Sequence, residues 1–251
     1  MEPLTSARIA TYNVRYFSHS VRGIASTHRS LEAIALALAP LHLDILCLQE
    51  LRSEAQLVVL AESMRRSSGR TFHAHYFPAH RGRWYSTGLG LLLAARGVTA
   101  TQVLSDEDTC GERRICAHAR VGGVHVFNVH LSLPPLGTRL GHGANQLRQA
   151  RRLRALIAQQ AEDTPYVVCG DFNSLPSSPV AELFAQPAGV APTAGLGPVH
   201  LRLDYMAGGN GIVWLDEEGT YAHGDKHGPF HGLSDHVPLI ARVGGSENRT
   251  A

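Results

Sequence analysis

The sequence contains no apolar run near the roughly 20 residues that a membrane-spanning helix needs, so no transmembrane segment is expected. It has only four cysteines and no Cys-x-x-Cys pair, which argues against a thiolate zinc site. Net charge is almost absent: 23 Lys+Arg against 21 Asp+Glu leave +2 with histidine neutral. That excludes a globally basic nucleic-acid coat but not a local patch. The start, Met1 to Arg8, lacks the apolar core of a signal peptide. A cytoplasmic location is therefore expected, or a secreted one if a leader was removed. Internal repeats and Pro/Gly/Ser-rich linkers are missing as well. A single domain over residues 1–251 is expected, with its core over 8–243 and a loose polar tail at 244–251.

Hydrophobic residues at 44% and charged residues at 18% give a globular balance. Histidine is abundant, at 15, which invites metal or phosphate chemistry. Apolar spacing predicts helices over 27–40, 54–67 and 144–161, with a short one at 179–185. Strands are predicted over 9–14, 44–49, 72–77, 88–95, 98–104, 114–121, 124–131, 166–169, 203–206 and 237–243. Interleaved strands and helices, with a hairpin at Gly122-Gly123, predict a layered α/β fold with mixed sheets. Stretches 186–200 and 222–234 read as long loops. Cys47 and Cys169 read as small buried hydrophobes. Cys110 and Cys116 flank a loop and are candidates for a disulfide.

Polar residues recur at the ends of apolar strands: Asn13, Gln49-Glu50, Asn128 with His130, Asp171 with Asn173, Asp204, and Asp235-His236. Each alone reads as a cap or turn residue. Gathered at one end of several strands, they would make an oxygen-rich site for a hard cation, with imidazoles beside it. Carboxylates without thiolates favour Mg²⁺ or Mn²⁺ over zinc.

Thr-Tyr-Asn13-Val-Arg, Leu-Gln-Glu50, Asn-Val-His130-Leu, Gly-Asp171-Phe-Asn173-Ser, Arg-Leu-Asp204-Tyr and Ser-Asp235-His236 stand in the order of the endonuclease/exonuclease/phosphatase superfamily. The chain resembles that superfamily from about residue 8 to residue 243. Gly-Asp-Phe-Asn and Ser-Asp-His together, at this spacing, are specific. The resemblance implies a four-layer α/β-sandwich of the deoxyribonuclease I kind, with two packed mixed β-sheets flanked by helices. It also implies divalent-metal-dependent hydrolysis of a phosphoester, with Mg²⁺ or Mn²⁺ as cofactor. By resemblance Glu50 is the main metal ligand, with Asn13 nearby and Asp235 completing the site. Asp171 orients or deprotonates water, and Asn173 bonds a phosphate oxygen. His236 touches the phosphate, its tautomer fixed by Asp204, and His130 is a candidate acid for the leaving oxygen. Either Asp171 or His236 could be the base.

The chain also departs from branches of the superfamily. Arg15 stands where the abasic-site branch has an acidic residue, and His130 where that branch has tyrosine. The glutamate that pairs with the first histidine in the deoxyribonuclease I branch has no counterpart around Tyr85-Ser-Thr-Gly-Leu. Arg15, Arg113 and Arg114 are candidate substrate-binding residues. Arg148, Arg151, Arg152 and Arg154 mark the 144–161 helix, as a solvated face or a nucleic-acid patch. His223, His227 and His231 are spaced by four, but Gly224, Gly228 and Pro229 exclude a helix there, so they read as a loop over the site or plain surface. Trp84, Tyr85 and Trp214 are candidates for stacking or for core packing. A nuclease is the favoured function. A phosphatase or phosphodiesterase for a lipid head group or small metabolite is the alternative, and an inactive binding module the third reading. No stable membrane insertion is expected in any of them.

Overall fold

The computed structural model describes residues 6–21, 24–81, 86–107, 111–184, 191–196, 198–216 and 221–244. In chain order the strands are β1 (Ala7–Asn13), β2 (Ser20–Val21), β3 (Ile24–Ala25), β4 (Ile45–Leu51), β5 (His73–Arg81), β6 (Ser86–Leu93), β7 (Val98–Ser105), β8 (Arg114–Val121), β9 (Val124–His130) and β10 (Tyr166–Asp171). They continue with β11 (Ala194–Leu196), β12 (Val199–Leu201), β13 (Asp204–Gly209), β14 (Val213–Asp216) and β15 (Leu239–Gly244). The α-helices are α1 (Thr27–Leu38), α2 (Glu54–Ser68) and α3 (Ala144–Ala161).

Two mixed sheets carry the fold. One has the order β14-β15-β1-β4-β6-β5, the other β13-β10-β9-β8-β7. Each contains one parallel pair, β1 with β4 and β9 with β10, among antiparallel neighbours. Because side chains alternate along a strand, each sheet has two apolar faces. Ile9, Ile45, Cys47 and Leu91 of the first sheet meet Ala117, Val126, Val167, Cys169 and Met206 of the second. On the far side of the first sheet, Ala10, Tyr12, Leu46 and Leu48 receive Leu31, Ile34, Leu57 and Leu60 from α1 and α2. On the far side of the second, Phe127, Val129 and Val168 receive Leu153, Leu156 and Ile157 from α3. The result is the four-layer α/β-sandwich. Each fully buried Leu or Ile contributes about 1.5–3 kcal/mol relative to exposure.

Local chemistry sets the helix ends. Ser26 and Ser53 hydroxyls accept the backbone N–H groups of Arg29 and Gln56. Gly69 ends α2 in the left-handed conformation, φ 73°. Two expectations change, and one strand is additional. The 179–185 helix is a single 3₁₀ turn over Ala181–Leu183, since the chain is already extended at Phe184. The 186–200 loop contains a hairpin, β11–β12, pinned where Gly195 N donates to Asp235 O. The short edge strand β14 had no alternating signal; its Trp214 packs against the inter-sheet core. Cys47, Cys116 and Cys169 are buried free thiols, so Cys116 carries no disulfide; Cys110 lies outside the described residues. So do Trp84, Tyr85 and the tail beyond Gly244. Among the described residues no helix is long and apolar enough to cross a membrane.

Candidate active site

The two parallel pairs end at the same edge of the sandwich. The carboxyl ends of parallel strands are where open α/β sheets bind ligands. Asn13 pairs in register with Gln49 at the end of β1 and β4. Asp171 pairs with His130 on one side and with Asp204 on the other. In-register neighbours point to the same face, so His130, Asp171 and Asp204 form one row across β9, β10 and β13.

Glu50 reaches this site by a backbone irregularity. Strict alternation would send it to the helix-covered face with Leu48. Instead β4 bulges between Leu48 and Leu51, with Glu50 at φ 58°, and the carboxylate turns inward. Non-glycine residues rarely adopt that region, and such strain concentrates at functional sites. Asn173 is similar, at φ 48°.

Asn13 Nδ2 lies 3.0 Å from both Glu50 Oε1 and Asp171 Oδ2. One amide therefore serves two carboxylates. The Asn173 backbone N–H donates to Asp171 Oδ1 at 2.8 Å. His236 Nδ1 is 2.7 Å from Asp204 Oδ2, and the buried Asp204 Oδ1 has no hydrogen-bond partner among the described residues. His236 Nε2 then faces Asp171 Oδ2 at 3.7 Å. His130 Nε2 is 3.6 Å from Asp171 Oδ2 and 4.0 Å from Glu50 Oε1. Ligand-type atoms of Asp171, Asp204 and His236 all lie within 4.8 Å of one another, a spacing that could hold a metal ion.

Burial and charge shift these groups. Burial raises the Glu50 carboxyl, while the Asn13 hydrogen bond opposes the rise. Burial also raises Asp171, to about 7, against the pull of His236. For His236, burial pushes downward, but Asp204 and Asp171 together outweigh it and lift the imidazole to about 10. His130 goes well below its ordinary value through burial, then through Arg114 and His236. The two histidines thus hold opposite charge states near neutral pH.

The structure gathers Asn13, Glu50, His130, Asp171, Asn173, Asp204 and His236 as one cluster. Asp235 sits at its rim, 3.3 Å from Arg15 Nη1, both partly exposed. Arg114 is buried, pairs with Glu112 at 2.7 Å, and lines a small cleft with His130. Arg113 is exposed and lines a separate groove with Pro78 and Asp106, away from the cluster. The Asn173 amide, expected to reach a phosphate oxygen, donates inward to Leu131 O at 2.8 Å.

Gln49 and Asn128 are not part of the oxygen-rich cluster. Both are fully buried and bonded to each other across the two sheets. Arg148, Arg151, Arg152 and Arg154 lie exposed on α3. Of the three spaced histidines, His223 and His231 line a cavity beside Asp235, while His227 is exposed. Two residues had no assigned role. Ser234 donates its hydroxyl to Asn13 O at 2.8 Å, tying the closing loop to β1; its place in Ser-Asp-His was the available signal. Thr193 accepts the N–H groups of Leu203 and Asp204 through Oγ1; nothing in Pro-Thr-Ala marks it.

The solved structures similar to this one share the architecture at low identity. One is the endonuclease/exonuclease/phosphatase from Bacteroides vulgatus, with TM-score 0.67, 18% identity, and coverage of 95% of this chain and 98% of that one. Another is ANGEL2, a 2',3'-cyclic phosphatase in complex with adenosine-2',3'-vanadate, with TM-score 0.71, 17% identity, and 96% of each chain covered. A third is the human Nocturnin catalytic domain with bound sulfate anion, with TM-score 0.68, 18% identity, and coverage of 97% and 96%. Among curated proteins, none matches the chain. The sequence itself matches the Endonuclease/Exonuclease/phosphatase family over residues 10–236, nearly the whole span that carries the two sheets and the clustered carboxylates. This chain therefore belongs to that family of phosphoester hydrolases.

Proposed function

We propose that the protein is a Mg²⁺- or Mn²⁺-dependent phosphodiesterase acting on nucleic acid or nucleotides. One observation carries the reading. The partly buried Glu50 and the buried Asp171 share a single amide, and Asp204 keeps an oxygen with no partner among the described residues. These carboxylates, with Asp235 at the rim, face one cationic imidazole, so the cluster is short of positive charge. A hard divalent ion suits such oxygen donors.

Glu50 would hold the ion, with Asn13 and Asp235 beside it. When bound, the ion would offset the charge of the phosphate and of the transition state. Asp171 is the group that orients water and takes its proton. His236, already protonated, is unsuited as base and instead faces the phosphate oxygens, its ring fixed by Asp204. His130, held neutral, offers an N–H donor to the leaving oxygen rather than a ready proton. Asn173 acts through Asp171, whose orientation its backbone N–H fixes. Arg15, at the rim with Asp235, would meet the substrate backbone.

The test is cleavage of plasmid, single-stranded DNA and RNA with Mg²⁺ or Mn²⁺, against an EDTA control. Calorimetry on Glu50→Ala should show loss of metal binding. Loss in Asp204→Ala with retention in Glu50→Ala would move the ion to the Asp171, Asp204 and His236 cluster. Failure to cleave any nucleic acid or nucleotide would sink the reading.

One observation favours a second reading, a lipid head-group phosphodiesterase. Leu133 and Leu136 are exposed on the segment that follows His130. Turnover of sphingomyelin or inositol phosphates in vesicles, with none on nucleic acid, would select it.

A further inference from the structure

Beside the candidate site lies a cavity of about 430 Å³. Asp235, Ser234 and Arg15 form its border with the cluster. Its walls are largely flat rings, apolar on their faces and polar at their edges. His19, His200, His223, His231, Tyr221 and Phe230 line it, with glycine backbone between them. Phe230 is fixed from two sides by Tyr12 and Tyr221, with ring centroids at 5.7 and 4.8 Å.

The imidazole pair is built in. His200 Nδ1 and His223 Nδ1 lie 2.8 Å apart, with ring centroids at 5.0 Å. Each ring rests on a glycine of the opposing segment. A Cβ on Gly195 would stand 2.2 Å from the His223 ring, and one on Gly224 would stand 2.8 Å from the His200 ring. The same segments are tied by His223 N to Pro192 O and by Gly195 N to Asp235 O, both at 2.8 Å. The hairpin β11–β12 and the 221–234 segment thus hold the imidazoles beside the reacting centre.

We propose that this cavity is a nucleoside subsite, taking the base and sugar attached to the scissile phosphate. It rests on the phosphodiesterase reading and deepens it. Neutral imidazoles offer both a donor and an acceptor, as the edges of nucleobases do, and flat rings suit stacking on a base. Burial, the His200 neighbour and His236 keep His223 on the neutral side.

Other occupants fit the lining less well. A second phosphate inside the cavity would need surplus positive charge there, yet Arg15 stands at its border on the cluster side, where it is assigned to the substrate backbone, and Lys226, the chain's single lysine, stands beside Asp225. A lipid chain would want aliphatic walls. A metal would need a third ligand, and among the described residues only Asp171, Asp204 and His236 form such a group.

The test is calorimetry of adenosine 5'-monophosphate, thymidine 5'-monophosphate and ribose 5-phosphate with the full chain and Mg²⁺. The nucleotides should bind at least tenfold more tightly than ribose 5-phosphate, and His223→Ala and His200→Ala should erase the difference. His200→Phe, which keeps the stacking surface, should retain part of it. Equal affinity for the base-free probe, or an undiminished difference in both alanine variants, overturns the subsite. Circular dichroism checks that each variant is folded.

A parallel arm distinguishes the sources of the nucleoside. Slower turnover of oligonucleotides in the variants assigns it to a strand, and slower turnover of mononucleotide esters alone assigns it to a free nucleotide. Failure of the hydrolase reading is separable: no phosphoester is turned over by wild type, whatever the binding shows.

Discussion

Gln49 Nε2 lies 2.7 Å from Asn128 Oδ1, joining the central strands of the two sheets inside their shared core. Gln49 also donates to Thr11 Oγ1 at 3.0 Å, and Asn128 Nδ2 donates to the carbonyls of Leu48 and Gly90. Apart from Thr11, these fully buried amides sit in a layer made mostly of Ile, Val, Leu, Ala, Cys and Met. Removing either partner strands the other without water. Gln49→Leu and Asn128→Leu should each lower stability by about 2–4 kcal/mol. The double variant should lose less than the sum, since neither amide is then left facing a missing partner across the sheets. Urea unfolding of the four proteins measures this. Strict additivity would mean that the bridge carries no coupling.

That pair also shows what sequence could and could not convey. Strand-end polarity was legible for Asn13, Gln49, His130 and Asp171, because apolar alternation stops at each. Which of them share a cluster depends on register and sheet packing. Asp171 meets His130 and Asp204 only through the pairing of β9, β10 and β13. Gln49 and Asn128, with the same local pattern, lie within the inter-sheet core instead. Glu50 arrives by a left-handed residue in a bulge, which no periodicity signals. Helix α3 was legible to its ends, Ala144 and Ala161, because its apolar spacing is sustained over several turns. The hairpin β11–β12 was not, since three-residue strands among Gly and Pro carry no period.

Asp204 is the only hydrogen-bond partner of the His236 ring among the described residues. Asp204→Asn should lower kcat by roughly 10²–10⁴, the scale seen when a carboxylate that orients a catalytic histidine and stabilises its charged form is neutralised. The His236 imidazole, lifted to about 10 by its carboxylates, should titrate lower in that variant. Imidazole NMR titration reads the second effect independently of turnover. An unchanged titration alongside a lost rate would show that Asp204 acts in some other way.

His118 and His125 form a buried stack on Phe127, with His118 Nε2 2.9 Å from His125 Nδ1. Burial, then His125 and Arg120, depress His118 to about 4, and burial and Arg120 depress His125. A folded value below the ordinary 6.5 means that the fold favours the neutral ring. The contribution is complete above about 6.5 and is lost as pH falls toward about 4. It should be on the order of 2 kcal/mol. Denaturant unfolding between pH 7 and 4 should show this loss, and His118→Phe should flatten it while retaining the stack. An identical acid limb in the variant would assign the loss to other groups.

Gly170 precedes Asp171 at φ 141°, and a Cβ there would stand 2.0 Å from Val129 O. The obstacle is the backbone of β9, which is held in register on both sides and cannot yield as a side-chain tip would. Gly123 offers a control. It also has positive φ, 81°, but none of the described residues lies within 4 Å of its would-be Cβ. Gly123→Ala therefore isolates the dihedral penalty, about 1 kcal/mol. Gly170→Ala adds the clash and should cost more than about 3 kcal/mol. If β9 and β10 part to admit the methyl group, His130 and Asp171 lose their register. Activity should then fall even where the variant remains folded. Equal melting temperatures for the two variants would show that Val129 gives way freely, and that the close approach of Gly170 to β9 is not what sets the distance between His130 and Asp171.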